Sequence, residues 1–509
     1  MVGGRLWLGV LAVAVAAISA AHAQDAVKIN PDNPKYLLFR GKPLALISAS
    51  EHYGSVINRP FDYEKYLDDA KAHKMTVTRT FLFYRELQSA RNPSSPCKPE
   101  SPDFISPYMR TGPGKAMDGE PIYDLDKWNP EYFERLHRFL DAASKRGIVV
   151  ELTVLSNTYV GDIWELNPLR AENNLQHVGA VDWQDYISLK NQELVKRQSR
   201  YLRKIIEETS GYDNVYYEIC NEPGGGFAGH ASPADVDAWQ SEMARVMREE
   251  MKRLNKPHLL SGQQAFTYGG NNSFPMDATF ESNNFDIAND HPLPNTQFDG
   301  KVFQMGNFMS KELTLEGVRD FCRATYARPK PVSLDEDNTA SIYRDLTGWT
   351  IHRKRAWTAL LSGCHYDYID FSITVGSESG TEASRAAIRS WMQHLSEFMD
   401  SFDYVHSKLA PEWIVAAPQP LLASSLSVEG RDFVAYLADQ REVTDPTAGE
   451  SIGGEVTLML PAGIYDLTLY SPVTGEYSPA IEVHGGEKSV VALPSFKQDI
   501  VLRATRRNQ

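Results

Sequence analysis

Cysteine is scarce in this chain, with four in 509 residues, and no two of them are spaced as a close metal-binding pair. Such sparse use excludes a small scaffold built on disulfides. The histidines show no HExxH or comparable ligand spacing, so we expect neither a metal nor a cofactor. One bridge, between Cys322 and Cys364, is compatible with an oxidising compartment, but the sequence does not determine it.

Positive charge is also in short supply. Lys and Arg number 52 against 66 Asp and Glu, which gives a formal net charge of −14. The charges are dispersed rather than gathered in blocks. This balance argues against nucleic acid and anionic membrane surfaces as partners, and it favours a soluble protein that acts on neutral or cationic ligands. The oligomeric state stays open.

Long apolar runs are absent except at the N-terminus. Arg5 precedes an almost wholly apolar stretch, residues 6–20, and the small-x-small run 21–23 fits cleavage before Gln24. Residues 1–23 are therefore predicted to be a signal peptide of a secreted or periplasmic protein. An uncleaved membrane anchor is the alternative, although the run is short for a span. After signal cleavage we expect no membrane insertion.

The body of the chain alternates strand-like and helix-like runs as far as residue 400, the pattern that builds parallel sheets. Eight such units, after a small hairpin within 27–48, predict a (β/α)8 barrel over residues 24–400. A doubly wound open sheet is the alternative, but no glycine-rich phosphate fingerprint follows the first strand. The predicted strands are 44–50, 75–83, 147–155, 214–220, 258–264, 285–290, 330–336 and 365–373.

The last hundred residues have a different pattern. From about residue 405 the chain consists of short alternating strands separated by Gly, Pro, Asp and Ser turns. This pattern predicts a small all-β sandwich over 405–509, following the α/β barrel. No pair of catalytic residue types stands out there. The second domain is therefore expected to be a packing or carbohydrate-contact module.

The run VYYEICNEP, residues 215–223, delivers a glutamate, Glu222, at the C-terminal tip of a buried strand. In a (β/α)8 barrel that tip faces the active site. A carboxylic acid partly withdrawn from water can keep a proton near neutral pH and give it to a leaving group. The structural alternative is a strand-end glutamate that caps a helix or pairs with an arginine.

The run PKPVSLDED, residues 329–337, ends a second strand in acids. Because side chains alternate along a strand, Leu334 and Glu336 are expected on the barrel-facing side, with Asp335 and Asp337 on the other. Glu336 is thus the candidate of the three, with an exposed acidic loop as the alternative. Two carboxylates on different strand tips meet the needs of glycosidic bond cleavage, in which one protonates the leaving oxygen and the other attacks or activates water.

With these motifs, residues 35–400 resemble the retaining glycoside hydrolases of clan A, the group that includes cellulase-like family five enzymes. Asn221, Glu222 and Pro223 at the end of the fourth strand and Glu336 at the end of the seventh carry the resemblance. Arg79 near the end of the second strand resembles the arginine that lies beside the nucleophile in this clan. The C-terminal part weakly resembles the sandwich appended to other such bacterial proteins.

The resemblance implies that Glu222 is the general acid/base, Glu336 the nucleophile and Asn221 a partner of the sugar 2-hydroxyl. Arg79 would then keep Glu336 ionised, and His291 after the sixth strand would approach the nucleophile. The clan's tyrosine shortly after that histidine is missing, with Tyr268 and Tyr366 as possible substitutes. The eighth strand also lacks the usual tryptophan.

Further candidates for sugar contact lie in the loops after the first, third and fifth strands, where amides and carboxylates can bind hydroxyls and aromatic faces can stack on sugar rings. Core packing or loop structure is the alternative for each. These residues are Glu51, His52, Tyr53, Asn157, Trp164 and Tyr268. Glu218, deeper in the fourth strand, is expected to be a buried partner of Arg79.

Together these features predict a secreted retaining glycosidase that cleaves β-linked, or stereochemically equivalent, oligo- or polysaccharides without a cofactor. A non-catalytic glycan-binding protein on the same barrel is one alternative. A transglycosylase, which would use the same residues, is another. The sugar, the linkage and the choice between internal and terminal attack are not determined.

Overall fold

The computed structural model describes residues 26–83, 101–269, 272–306, 314–337, 346–369, 381–442 and 445–507. The predicted signal peptide lies outside these ranges, as do Cys97 and the end of the run that begins at residue 365. Within the described ranges, no helix combines the length and the apolar character that a membrane span requires.

Eight parallel strands form the barrel, and a helix follows each of them, which confirms the predicted fold class. The strands are β1 (Ile47–Ser50), β2 (Val77–Phe81), β3 (Val149–Ser156), β4 (Val215–Asn221), β5 (Leu260–Gly262), β6 (Ile287–Asp290), β7 (Val332–Asp337) and β8 (His365–Ile369). The helices are α1 (Tyr63–Ala72), α2 (Pro130–Arg146), α3 (Gln192–Thr209), α4 (Pro233–Leu254), α5 (Asp277–Glu281), α6 (Leu315–Thr325), α7 (Leu346–Leu360) and α8 (Glu382–Asp400).

Neighbouring strands pair in chain order from β2 to β8, and β8 pairs with β1. Between β1 and β2, individual hydrogen bonds take the place of regular strand pairing. The Thr76 amide donates to the Ile47 carbonyl at 3.0 Å, and the Ser48 hydroxyl donates to the Val77 carbonyl at 2.7 Å. The barrel is therefore nearly closed, and its strand ends converge on one face, where a barrel active site is built.

Local sequence sets the ends of the helices. Helix α2 begins after Asn129, whose side chain accepts from the Glu131 amide, and ends at Gly147, with φ of 75°. Helix α4 begins with a capping box in which Ser232 and Asp235 bond each other's backbone amides. These side chains satisfy amides and carbonyls that the first and last helical turns leave without partners.

Short elements decorate the barrel. The predicted N-terminal hairpin is a three-stranded antiparallel sheet, and a long hairpin precedes α2. The β3–α3 loop, residues 157–191, contains a short helix. The extra strands and helix are Lys28–Ile29, Leu37–Phe39, Lys42–Leu44, Tyr108–Lys115, Pro121–Trp128, Gly161–Glu165, Gly224–Gly225, Phe266–Thr267, Phe274–Pro275, Thr296–Phe298 and Lys301–Phe303.

A sandwich of two antiparallel sheets follows α8. The larger sheet has the order β9-β11-β12-β17-β14-β15, and the smaller has the order β10-β13-β16. The strands are β9 (Lys408–Leu409), β10 (Ile414–Ala416), β11 (Leu421–Val428), β12 (Asp432–Asp439), β13 (Ile452–Met459), β14 (Gly463–Tyr470), β15 (Ile481–Gly485), β16 (Lys488–Phe496) and β17 (Asp499–Arg506). Val456, Leu458, Leu467 and Leu502 belong to the core between the sheets.

The outer face of the larger sheet packs on barrel helices, so barrel and sandwich share one core. Tyr436 of β12 lies 5.6 Å from Trp357 of α7, and Tyr470 of β14 lies 5.2 Å from Phe398 of α8, measured between ring centroids. Val434 and Val501 are buried in the same apolar cluster as the barrel interior. The shared core predicts that the two parts unfold together.

Buried charges of α7 cross the same interface. The Arg353 guanidinium donates to both Asp499 carboxylate oxygens, at 2.7 and 3.1 Å, and the Tyr436 hydroxyl donates to the same carboxylate at 2.7 Å. The Lys354 ammonium donates to the carbonyls of Asp439 and Arg441. Helix α7 is thus fastened to the sandwich by charged groups withdrawn from water.

The disulfide that the sequence left open is not formed. Cys322 of α6 and Cys364 before β8 are both buried free thiols, as is Cys220. Burial raises the pKa of the Cys322 thiol well above its usual range, and a contact with Cys364 adds to the shift. Both cysteines act here as small core residues.

Removing one member of the buried interface pair is expected to be costly. Asp499→Ala leaves Arg353 as an uncompensated buried charge, which should lower the free energy of unfolding by about 3–5 kcal/mol. Equilibrium urea unfolding measures this, with the wild type unfolding in one transition.

The exposed pair Arg507–Asp466, at 2.7 Å, provides the control. Asp466→Ala removes a pair that water screens, so it should leave the free energy of unfolding nearly unchanged. Similar losses for the two variants would contradict the assignment of the buried pair as an interface clamp.

Candidate active site

The two predicted glutamates lie at the carboxyl ends of β4 and β7, and both have left-handed backbone conformations. Glu222 has φ of 44° and Glu336 has φ of 53°. Non-glycine residues adopt this region rarely, and they keep it where surrounding contacts hold them. The chain therefore turns sharply at each carboxylate.

The strand-parity prediction for β7 was wrong for Leu334 and Asp335. Asp335 accepts from the Ser333 hydroxyl at 2.9 Å and from the Asn289 side-chain amide at 2.7 Å, inside the barrel. Leu334 pairs with Tyr366, whose hydroxyl contacts His352 of α7, so that side faces the helices. Glu336 reaches the site because the register shifts between Leu334 and Asp337, which reorients the strand end.

Arg79 of β2 connects the residues of the site. Its guanidinium donates to Glu336 Oε2 at 2.7 Å, to Glu218 Oε2 at 2.6 Å and to Asn221 Oδ1 at 2.6 Å. The Arg79 side chain is 1% exposed. The structure thus brings Arg79 beside Glu336, and it gives Glu218 the buried partner that the sequence led us to expect.

Two histidines also lie near Glu336. His52 Nδ1 and His291 Nε2 each lie 3.8 Å from Glu336 Oε2. Burial alone would raise the pKa of Glu336, but the interactions with His52, His291 and Arg79 hold it well below its usual range. The site thus favours the ionised form of Glu336.

Contacts at its Nε2 atom fix the position of His52. Its Nε2 lies 3.0 Å from Asp367 Oδ2 and 2.9 Å from the Ser50 hydroxyl, and its ring is fully buried. Burial opposes a charge on His52, but hydrogen bonds to Asp367 and Glu336 raise its pKa. His52 is thus placed to act on Glu336 rather than to meet solvent.

His291 contacts both glutamates. Its Nδ1 lies 2.9 Å from Glu222 Oε1, while its Nε2 is the atom near Glu336. Burial alone would lower the pKa of His291, but the hydrogen bond to Glu222 and the charges of Glu336 and Glu222 raise it to about 9. The two carboxylates therefore flank opposite edges of one imidazole ring, which is cationic at neutral pH.

Asn221 and Asn157 fix the end of β4. The Asn221 amide donates to the Tyr159 hydroxyl at 2.5 Å, while its oxygen accepts from Arg79. The Asn157 amide donates to the Glu222 carbonyl at 3.1 Å and to the Tyr268 hydroxyl at 2.5 Å. Tyr268 is half-buried beside Glu222, whereas Asn157 supports the Glu222 backbone.

Three predicted sugar contacts are not presented to the two glutamates. Glu51 is fully buried, and its carboxylate accepts from the amides of Tyr53 and Gly54 at 2.6 and 2.8 Å, so it caps a turn. Trp164 is 3% exposed, its indole N–H donates to the Val181 carbonyl at 3.0 Å, and it lines an open cavity of the β3–α3 loop. Tyr53 is also buried, with its ring centroid 4.8 Å from that of Phe81. Residue type and loop position did not reveal these internal partners.

The missing tyrosine is not replaced by either suggested substitute. Tyr366 lies on the helix-facing side, where its hydroxyl donates to Asp337 Oδ2 at 2.8 Å. Tyr268 bonds Asn157 instead of Glu336. The Arg79 guanidinium donates a hydrogen bond to Glu336 at 2.7 Å, and it also lies 3.2 Å from His52 Nδ1.

A layer of buried polar side chains beneath the site was missed. Asn289 bridges Glu218 and Asp335, and the Tyr216 hydroxyl donates to Glu151 at 2.9 Å. The available signal was polar residues at alternate positions of otherwise apolar strands, for example Glu151 and Thr153 in β3. Within the described ranges, no group of three or more His, Cys, Asp or Glu side chains could hold a metal ion.

Comparison with known proteins identifies relatives of the fold. Residues 98–227 match a family model described as a domain of unknown function (DUF6298). No curated protein matches the chain significantly.

Two solved structures resemble the whole chain. One is described as a glycoside hydrolase; it has a TM-score of 0.60 and 13% identity, over 95% of this chain and 97% of the other. A family 5 glycoside hydrolase from Bacteroides vulgatus ATCC 8482 has a TM-score of 0.60 and 13% identity, over 94% and 93%. The chain therefore has the barrel-and-sandwich fold of these glycoside hydrolases.

Proposed function

We propose that this protein is a retaining glycoside hydrolase, with Glu336 as nucleophile and Glu222 as general acid/base. The observation that carries the proposal is the placement of two glutamates, from opposite parts of the barrel, on the two edges of the His291 ring. The fold shared with glycoside hydrolases supports it. The substrate is an oligo- or polysaccharide with β-linked or stereochemically equivalent bonds.

In the first step, the Glu336 carboxylate attacks the anomeric carbon while Glu222 gives its proton to the glycosidic oxygen. The bond from carbon to that oxygen breaks, and a sugar ester on Glu336 forms. Arg79 and His52 keep Glu336 ionised before attack, and Arg79 also holds Asn221 beside the reacting sugar. The leaving sugar departs with the proton from Glu222.

In the second step, Glu222 takes a proton from water, whose oxygen attacks the same carbon and releases Glu336. The configuration at that carbon is then retained. The proton on His291 Nδ1 lies in the hydrogen bond to Glu222 Oε1, so His291 can compensate charge on Glu222 as its proton leaves and returns. Retention also requires carboxyl groups about 5–5.5 Å apart, whereas inversion needs about 6.5–9.5 Å.

A screen of aryl β-glycosides and plant or algal polysaccharides tests the proposal, with NMR of the first-formed anomer to report retention. Turnover that is lost in Glu336→Gln supports it. Saccharide binding without turnover by the wild type would instead identify a glycan-binding protein. Transfer products at high acceptor concentration would identify a transglycosylase.

The proposal includes export directed by residues 1–23. The apolar run and the small residues at 21 and 23 support it. Expression of the full chain in a bacterium, followed by N-terminal sequencing of the recovered protein, is expected to give a chain that begins at Gln24. A retained N-terminal segment in a membrane fraction would contradict this part.

Substrates with different leaving groups should distinguish the roles of the two glutamates. Glu222→Gln is expected to lower kcat/KM, which reports the first step, by about 10²–10⁴-fold on a p-nitrophenyl glycoside, because general acid help is lost. A 2,4-dinitrophenyl glycoside needs no proton to leave, so bond cleavage on it should be nearly unaffected. Glu336→Gln should abolish turnover of both substrates, measured by phenolate release.

Glu165→Gln, an exposed change in the β3–α3 loop, is the matched control and should retain wild-type rates. Equal losses of Glu222→Gln on both aryl substrates would contradict its role as the acid.

The acid limb of the pH profile should report Glu336. Its pKa is lowered, and the ionised form is the nucleophile, so activity persists above that pKa and is lost as pH falls through it. His52→Gln removes an interaction that lowers the pKa of Glu336, so it should move the acid limb of kcat/KM to higher pH. Initial rates measured from pH 7 down to the lowest pH at which circular dichroism shows an intact fold report this shift.

His137→Gln, at a half-buried surface site paired with Glu208, is the control and should leave the profile in place. An acid limb that is unchanged in His52→Gln would show that another group limits activity at low pH.

A further inference from the structure

Three partly exposed aromatic rings form a continuous row on the catalytic face. They are Tyr268 after β5, Phe227 after β4 and Trp183 in the β3–α3 loop. The ring centroids of Tyr268 and Phe227 are 4.4 Å apart, and those of Phe227 and Trp183 are 5.1 Å apart. Three different loops thus contribute to one apolar ridge.

The inner end of this ridge lies beside Glu222. The Tyr268 hydroxyl accepts from Asn157, and the same Asn157 amide donates to the Glu222 carbonyl. The outer end of the ridge, Trp183, is held by Thr158, the residue after Asn157. The Thr158 hydroxyl donates to the Trp183 carbonyl at 3.3 Å. The ridge is therefore held in a fixed position relative to Glu222.

The ridge extends away from Glu336. In the barrel, β3 lies across from β7, and the residues that contact Glu336 come from β2 and from the ends of β1 and β6. A sugar attacked by Glu336 sits over that side. The part of the substrate that receives the proton from Glu222 is then directed along the ridge.

Trp183 also lines an open cavity of about 830 Å³ in the β3–α3 loop. This volume falls within the range of ligand-binding sites, roughly 300–1,000 Å³. Both cations of its lining are paired with carboxylates: Arg170 bonds Glu172 at 2.8 Å, and Lys190 bonds Asp185 at 2.7 Å. Asp182 and Glu193 add two further acids to the lining. The cavity thus offers polar groups for hydroxyls, and its excess of acids disfavours an anionic glycan.

We propose that the ridge and the cavity bind the leaving-group part of a neutral glycan several sugars long. Aromatic faces stack on the apolar faces of sugar rings, and the paired polar groups bind hydroxyls. The inference rests on the proposed hydrolase and adds that the enzyme cuts within chains of neutral sugars, with at least two sugars on the departing side.

The test compares a short and a long leaving group in Trp183→Ala. The probes are a p-nitrophenyl β-glycoside and a neutral hexasaccharide, which is cellohexaose, mannohexaose or xylohexaose. Both contain the sugar that the wild type cleaves. We expect kcat/KM to fall about tenfold or more on the hexasaccharide and less than about twofold on the aryl glycoside. Trp183→Phe should recover much of the loss.

Trp128→Ala is the matched control, because Trp128 is a partly exposed tryptophan that stacks on Tyr108 on the outer side, near α3. Trp128→Ala should leave the ratio of kcat/KM on the hexasaccharide to kcat/KM on the aryl glycoside unchanged. Circular dichroism melting confirms that each variant is folded. If Trp183→Ala misfolds, Phe227→Ala, scored by the same ratio of substrates, decides the question.

Failure of this inference differs from failure of the proposed function. Equal effects of Trp183→Ala on both substrates, or cleavage of the aryl glycoside without cleavage of any hexasaccharide, would overturn the leaving-group site and leave the hydrolase standing. Preference for a polyuronate over the neutral oligomers would overturn the neutral-glycan assignment. No cleavage of any probe would overturn the hydrolase and, with it, this inference.

Discussion

The charge of one buried guanidinium organises the catalytic end of the barrel. Arg79 is 1% exposed, and it contacts Glu218 and Glu336 directly, with Asp335 at 4.0 Å. Burial alone would lower the pKa of Arg79, but these carboxylates raise it well above its usual range. Because a buried charge is tolerated only where it is paired and hydrogen-bonded, this cation fixes the relative positions of β2, β4 and β7.

Acidic groups outnumber cations in the barrel interior, and this excess determines which acids are ionised. Burial and neighbouring carboxylates raise the pKa of Glu151 well above its usual range and that of Asp335 to about 6. Burial would also raise the pKa of Glu336, but His52, His291 and Arg79 lower it. The positive charge of the interior thus lies nearest the carboxylate that is proposed as the nucleophile.

The left-handed backbone at Glu336 is supported from outside the site. Asp337, next to Glu336, lies in a buried group with Arg355, His352 and Tyr366. Burial alone would raise the pKa of Asp337, but Arg355 and His352 hold it well below its usual range. Arg355 follows Arg353 and Lys354 on α7, which bond the sandwich, so the second domain braces the strand end that carries Glu336.

The sequence predicted the parts of the molecule that depend on local pattern. Apolar strand runs located all eight barrel strands, and the motifs at their ends located Glu222, Arg79 and Glu336. It misassigned the orientation of Asp335, because the apolar Leu334 packs towards the helices while the polar Ser333 and Asp335 face the barrel interior. It also misassigned Glu51 and Trp164, because a turn cap and an indole hydrogen bond depend on partners that a residue type does not reveal.

Two chemically identical side chains acquire different roles here through their surroundings. Glu336 is 10% exposed and contacts Arg79 and His52 as well as His291, whereas Glu222 is 26% exposed and, among the described residues, has His291 as its close cationic contact. The carboxylate held by several cations is the one proposed as the nucleophile, and the more open carboxylate is the one proposed as the acid/base. The aromatic ridge begins at the more open glutamate, so the groups that divide the two roles also set the direction in which a substrate would lie.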